Sequence, residues 1–201
     1  MIPKIIHYCW LSDDEKPDIV KECLESWDIL KEQGFEFMLW DRNMFDVESS
    51  VYTKSCWDNK LYAFICDYVR LKALYEYGGI YMDCDVLLLK PFDDFILNND
   101  YFFTDNYGRG ITASVMCTDK GNDFIGFSKK HYEENILPHP VTKRKMTIME
   151  EKLRYIYHCY HKKLVLNDAE YFAAFFKVTD KSYTSHQDIG SWSEYVRKME
   201  K

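Results

Sequence analysis

Residues 80–89 read Ile-Tyr-Met-Asp-Cys-Asp-Val-Leu-Leu-Leu, an almost unbroken apolar run holding two aspartates and no other charge. Such a run is the pattern of a strand covered on both faces, as in a parallel sheet flanked by helices. Carboxylates inside it are costly unless something compensates them. In a regular strand Tyr81, Asp83 and Asp85 would share one face. If the chain instead opens into a turn at Asp83, the pair stands at the carboxyl end of the strand, where open α/β sheets bind ligands. Two hard oxygen ligands suit Mg²⁺ or Mn²⁺, which would neutralise their repulsion and act as a Lewis acid toward a departing diphosphate. By itself D-x-D is also an ordinary solvated turn.

The surroundings of this run support an α/β fold. Over 60–77, Leu61, Phe64 or Ile65, Tyr68, Leu71 or Ala73, and Tyr75 form a helical stripe, and Gly78-Gly79 end it. Near the start, Lys4–Trp10 and Phe35–Trp40 read as strands. Between them a helix begins at Pro17-Asp18, with Ile19, Cys23 (or Val20), Trp27 and Leu30 at helical spacing and a stop at Gly34. Strand, helix and strand within forty residues predict a βαβ unit and a parallel sheet. Further strands are expected at Tyr101–Thr104 and Ile111–Thr118, with a short one at Leu164–Leu166. Helices are expected at Asp123–Glu134, Lys143–His161 and Trp192–Lys201, while Ala169–Phe176 is ambiguous.

A chain of 201 residues suits a single domain with a proper core. With 33 acidic and 26 basic residues the net charge is −7, which argues against a dedicated nucleic-acid binder. The seven cysteines are odd in number and form no C-x-x-C pair, the usage of buried thiols in a reducing compartment. No signal-peptide pattern and no membrane-spanning run occur, so the expectation is a cytoplasmic protein. The basic stretches Lys143–Lys145 and Lys162-Lys163 read as solvated faces, or as a peripheral contact with the inner face of a membrane.

Asp67 and Arg70 lie three apart on one face of the 60–77 helix. They read either as an intrahelical ion pair or as a carboxylate for a hydroxyl and a guanidinium for phosphate. Together, Asp67-Tyr-Val-Arg70, Tyr-Gly78-Gly79-Ile-Tyr81-Met-Asp83-Cys-Asp85 resemble the core signature of the D-x-D sugar transferases of glycosyltransferase family 32, to which the glucosylating toxin catalytic domains are similar. Ile2-Pro-Lys-Ile-Ile-His7-Tyr-Cys-Trp10 resembles the opening strand of that family, and His186-Gln-Asp-Ile-Gly190-Ser191-Trp192 its closing segment.

The resemblance implies a GT-A fold, with a Rossmann-like, mostly parallel sheet. It implies one domain over 1–201, divided into a nucleotide-sugar-binding half (about 1–100) and an acceptor-side half with a closing C-terminal loop (about 101–201). It further implies a retaining, Mn²⁺- or Mg²⁺-dependent transfer from a nucleotide-sugar, UDP-linked or GDP-linked, to a saccharide or lipid-linked saccharide. By position, Trp10 would stack on the base, Asp67, Arg70 and Tyr81 would contact the donor, and Asp83 and Asp85 would bind ribose and metal–diphosphate. His186 or Asp188, with Ser191 and Trp192, would complete the site; His7 reads as structural.

The sequence departs from the family in two places. Leu11–Lys16 replaces a glycine-rich turn after Trp10, and Gly108–Ser114 replaces an acceptor-side segment in which Arg109 or Thr112 would have to serve. Two other readings compete. One is a non-catalytic nucleotide-sugar or glycan binder of the same fold. The other is a haloacid-dehalogenase-like phosphatase with Asp83 as nucleophile and Asp85 as general acid.

Overall fold

The architecture is taken from a computed structural model of the chain, which describes residues 1–134, 149–174 and 177–189. The expected helix at Trp192–Lys201, the stretch Lys143–Lys145, and the site candidates Ser191 and Trp192 lie outside the described residues.

The chain opens with strand β1 (Ile5–Cys9), followed by helices α1 (Asp18–Ser26) and α2 (Asp28–Glu32) and strand β2 (Glu36–Trp40). The single predicted helix is broken at Trp27, whose indole N–H donates to the carbonyl of Val86 at 2.8 Å. Ile19, expected in the core, is 36 % exposed; Val20 and Cys23 take the buried positions instead. Next come α3 (Val51–Asp58) and α4 (Tyr62–Tyr77), then β3 (Gly79–Met82) and β4 (Val86–Leu88). The remaining elements are α5 (Asp94–Leu97), β5 (Tyr101–Phe102), β6 (Val115–Thr118), α6 (Asp123–Glu133), α7 (Met149–Cys159), β7 (Phe172–Ala174) and β8 (Thr184–His186). The strand expected at 111–118 forms only over its second half, and Leu164–Leu166 is not a strand; Asn167 beside it makes an isolated bridge to Thr104.

The main sheet has the order β2-β1-β3-β6-β5. β1 is parallel to β2 and β3, while β6 runs antiparallel to both β3 and β5, so four of the five strands point one way. Alternation along β3 divides the core: Tyr81 faces the cluster built on α3, α4, α6 and α7, and Ile80 and Met82 face the one holding Trp27 and Leu30. Helices thus cover both faces, the arrangement that a two-sided apolar run demands.

The run 80–89 is not one strand. It leaves the main sheet after Met82, turns at Asp83 with the Val86 N–H donating to the Asp83 carbonyl at 3.0 Å, and enters a second sheet of order β4-β8-β7. Gly79 makes the junction of α4 and β3 feasible. Its φ is +102°, and a Cβ there would stand 2.6 Å from the carbonyl oxygen of Ile5 on β1.

Behind this junction, His7 is fully buried. Its Nε2 bonds the Gly78 carbonyl at 2.8 Å, and its Nδ1 accepts from the Trp40 indole at 3.2 Å. Burial lowers its pKa, with the Gly78 contact partly opposing, so the ring is a neutral structural linker, as its apolar neighbours suggest.

Candidate functional site

Because β1 and β3 are adjacent and parallel, with His7 beside Tyr81, Trp10 and Asp83 leave the sheet at the same carboxyl edge. Above that edge lies a cleft of about 590 Å³ lined by Trp10, Asp67, Arg70, Tyr81, Asp83, Asp85, His186 and Asp188, among others. Every described residue that the sequence nominated for the donor or the metal therefore reaches one cavity, from four separate parts of the chain.

The two aspartates are held differently. Asp83 accepts from the Arg70 guanidinium at 2.6 Å, and its backbone N–H donates to the Ser114 carbonyl on the approach to β6. Arg70 itself is 4 % exposed and lies 4.6 Å from the centre of the Tyr81 ring. Tyr81 is buried beneath this guanidinium, and burial pushes its phenol well above the ordinary value, so it stays neutral.

Asp85 is held from the far end of the chain. β4 pairs with β8 so that Val86 faces His186, which brings the imidazole Nε2 to 3.3 Å from Asp85 Oδ1. The Ile189 N–H donates to Asp85 Oδ2 at 3.2 Å and the Gln187 N–H to the Asp85 carbonyl at 2.9 Å. Burial works to raise the Asp85 carboxyl, but His186 and the Ile189 N–H outweigh it and hold it below the usual carboxylate range. Burial opposes charge on His186, yet Asp85, with Asp83 and Asp188 behind it, pushes its pKa up to about 9.

Ligand atoms of Asp83, Asp85 and His186 lie within 4.8 Å of one another. Two carboxylates and an imidazole on one side of an open cleft form a donor set that fits Mn²⁺, and less closely Mg²⁺, with coordination positions left toward the cleft. Asp188 is not part of this trio. It is exposed at the rim, at φ +47°, and contributes charge to His186.

Trp10 stands half-buried at the cleft wall, its indole N–H donating to the Asp14 carbonyl at 3.3 Å and its ring under the Lys16 ammonium at 5.0 Å. Of the segment 108–114, Ala113 lines the cleft, whereas exposed Arg109 and buried Thr112 do not. Asp67 and Arg70 serve separate partners rather than simply each other: Arg70 reaches Asp83, and Asp67 Oδ2 lies 3.6 Å from the ammonium of Lys152 on α7. Burial raises the Asp67 carboxyl, with Lys152 and Arg70 pulling it back.

The sequence reading missed Lys152 and the Ile189 N–H. A signal for Lys152 exists: Met149, Lys152, Leu153, Ile156 and Tyr160 form one buried stripe, so the lysine sits on the core face of its helix. A backbone N–H leaves no signal in side-chain identity.

Residues 17–103 match the family model described as the glycosyltransferase sugar-binding region containing the DXD motif. Over 131 residues the chain is 30 % identical to inositol phosphoceramide mannosyltransferase 3 of Schizosaccharomyces pombe, the match covering 62 % of this chain and 35 % of that protein. Over 133 residues it is 33 % identical to the uncharacterized glycosyltransferase L373 of Acanthamoeba polyphaga mimivirus, covering 57 % of this chain and 50 % of the relative. The chain thus spans half or less of the length of these curated relatives.

Two solved structures share its fold at 16 % identity. A glycosyltransferase involved in the glycosylation of the major capsid of PBCV-1 superposes with a TM-score of 0.57 over 98 % of this chain and 99 % of that one. The PaToxG glycosyltransferase superposes at 0.54 over 78 % and 68 %. The α/β architecture is that of the GT-A glycosyltransferases. In the cleft Asp83 is engaged by Arg70 and Asp85 by His186. Over residues 17–103 the chain is therefore similar to the DXD-containing sugar-binding region of glycosyltransferases.

Proposed function

We propose that this protein is a metal-dependent, retaining glycosyltransferase that moves a sugar from a nucleotide-sugar, most simply a UDP-sugar, to a saccharide or lipid-linked saccharide. The observation that carries the reading is the convergence of Asp83, Asp85 and His186 within 4.8 Å in the cleft at the carboxyl edge of the sheet. Asp83, Asp85 and His186 would hold Mn²⁺ or Mg²⁺, which when bound supplies Lewis-acid stabilisation of a departing diphosphate.

The chain's own residues do the remainder. Arg70, fixed by Asp83 below and Tyr81 behind, presents a buried guanidinium whose charge is worth more there than in water. Trp10 offers a half-buried aromatic face for the base, available once Lys16 moves aside. Asp67 accepts from donor hydroxyls, and the segment after β8 orients Asp85 through the Ile189 N–H. With Asp67, Asp83 and Asp85 given binding roles and Asp188 exposed at the rim, no carboxylate stands out as a nucleophile, and retention is assigned to same-face attack, with the leaving phosphate taking the acceptor's proton. Division of labour at about residue 100, and a cytoplasmic location facing a membrane-borne acceptor, complete the proposal.

The test is release of nucleoside diphosphate from a panel of UDP- and GDP-sugars, with Mn²⁺ or with chelator. Mn²⁺-dependent release from one donor is expected. Donor binding without release under any condition would instead identify a non-catalytic binder, and the absence of both would remove the donor-site assignment.

A further inference from the structure

Lys152 is 2 % exposed, and its ammonium points into the protein rather than the cleft. It donates to the Tyr52 hydroxyl at 3.1 Å, and its Nζ lies 5.1, 5.3 and 5.4 Å from the ring centres of Tyr132, Tyr52 and Phe64. On its open side is Asp67 Oδ2 at 3.6 Å. Desolvating an ammonium costs several kcal/mol, and an apolar residue would fill this place on the Leu153–Ile156 stripe without that cost. Packing alone therefore does not account for a lysine here.

Asp67 does account for it. Its carboxylate lies in the cleft wall, buried, close enough to Asp83 to feel its charge, and Arg70 one turn along α4 is engaged with Asp83. Without a cation on its inner side, Asp67 would either lose its charge or draw the guanidinium away from Asp83.

Resting on the donor site proposed above, we propose that Lys152 is a positioning residue. It fixes the Asp67 carboxylate in the cleft wall as an acceptor for hydroxyls of the nucleotide-sugar, and leaves Arg70 to Asp83. The aromatic walls hold the ammonium in one place through cation–π contact, so α7, 85 residues away in sequence, sets the geometry of a site on α4.

The experiment is a double-mutant cycle of Lys152→Met and Asp67→Asn, with Lys152→Arg as the charge-keeping control. It reads UDP-glucose and GDP-mannose affinity by calorimetry with Mn²⁺, beside thermal unfolding. Expected are a loss of about tenfold or more in donor affinity for each single variant, no further loss in the double variant, and partial recovery in Lys152→Arg. A lysine that serves stability only would lower the melting temperature of Lys152→Met and leave donor affinity within about twofold, or give additive losses; either result overturns the proposal. Should Lys152→Met fail to fold, Asp67→Asn is compared with the double variant, whose pair is neutral: equal affinities support the proposal, and a further tenfold loss would overturn it. Wild type binding neither nucleotide-sugar nor free UDP or GDP would sink the donor site and this role together, whereas a binding wild type with unaffected Lys152→Met would remove this role alone.

Discussion

The two ends of the Asp83–Asp85 turn are built on opposite principles. Asp83 is anchored locally: its guanidinium partner lies 13 residues upstream on α4, in the helix that leads directly into its own strand. Asp85 is anchored from a distance, by an imidazole and a backbone N–H some hundred residues downstream on β8 and the segment beyond it. Arg70 is almost completely buried and backed by Tyr81, whereas His186 is partly exposed and reached through three-residue strands. The lesson is one of division: the α4–β3 side provides fixed charge, and the β8 side provides a candidate metal ligand whose position depends on a small second sheet.

Breaking the local side has the largest expected effect. Arg70→Met removes the cation from both Asp83 and the donor phosphates. It should lower kcat/KM for nucleoside diphosphate release by about 10²–10³-fold. Because the Asp83 side chain is 26 % exposed, water relieves part of the stranded charge. The stability loss should then be about 1–2 kcal/mol rather than the 3–5 kcal/mol of a fully buried pair. A melting-temperature drop without a kinetic loss would mean that Arg70 is structural only.

Breaking the remote side should cost less and fall on metal rather than on transfer itself. His186→Gln is expected to weaken Mn²⁺ binding by about 10-fold while leaving the main sheet intact, as read by titration calorimetry and circular dichroism. Wild-type Mn²⁺ affinity in that variant would take His186 out of the trio.

The smallest effect concerns the scaffold beneath both. His7 has a folded pKa lowered by burial, so the unfolded chain binds its proton more tightly. The corresponding stability is therefore complete above the unfolded value of about 6.5 and is lost as pH falls below it. Unfolding free energy should decline by at most about 1.4 kcal/mol per pH unit across that window, and His7→Gln should flatten the decline. An unchanged slope in the variant would assign the loss to other groups.

This contrast also explains what could be read from the sequence. The βαβ start, α4 and the Gly78-Gly79 turn were legible because their signals are local: periodicity, glycine, and an apolar run containing two acids. The partition of 80–89 between two sheets was not, since β4 and β8 are three residues each and their pairing joins residues a hundred positions apart. Helix α3 went unread because Val51–Asp58 lacks a clean apolar period, and its capping box closes Ser50 on Thr53 rather than on Glu or Gln. Tyr81, Asp67 and Arg70 were placed at the site by motif, but their partners were not, because ion pairing between α4 and α7 is a property of packing. Lys152 shows the limit most plainly: lysine on a helix reads as solvent-facing until its neighbours on the stripe prove to be core.

The central claim is that Asp85, held from β8, is a ligand of a metal that receives the donor diphosphate. The most direct test is electron paramagnetic resonance titration of Mn²⁺ into wild type and Asp85→Asn, each with and without UDP and GDP. The account predicts one Mn²⁺ per chain in wild type, bound more tightly with one of the diphosphates, and loss of both the site and the tightening in Asp85→Asn. Equal Mn²⁺ binding by the two proteins, with the same response to diphosphate, would contradict it.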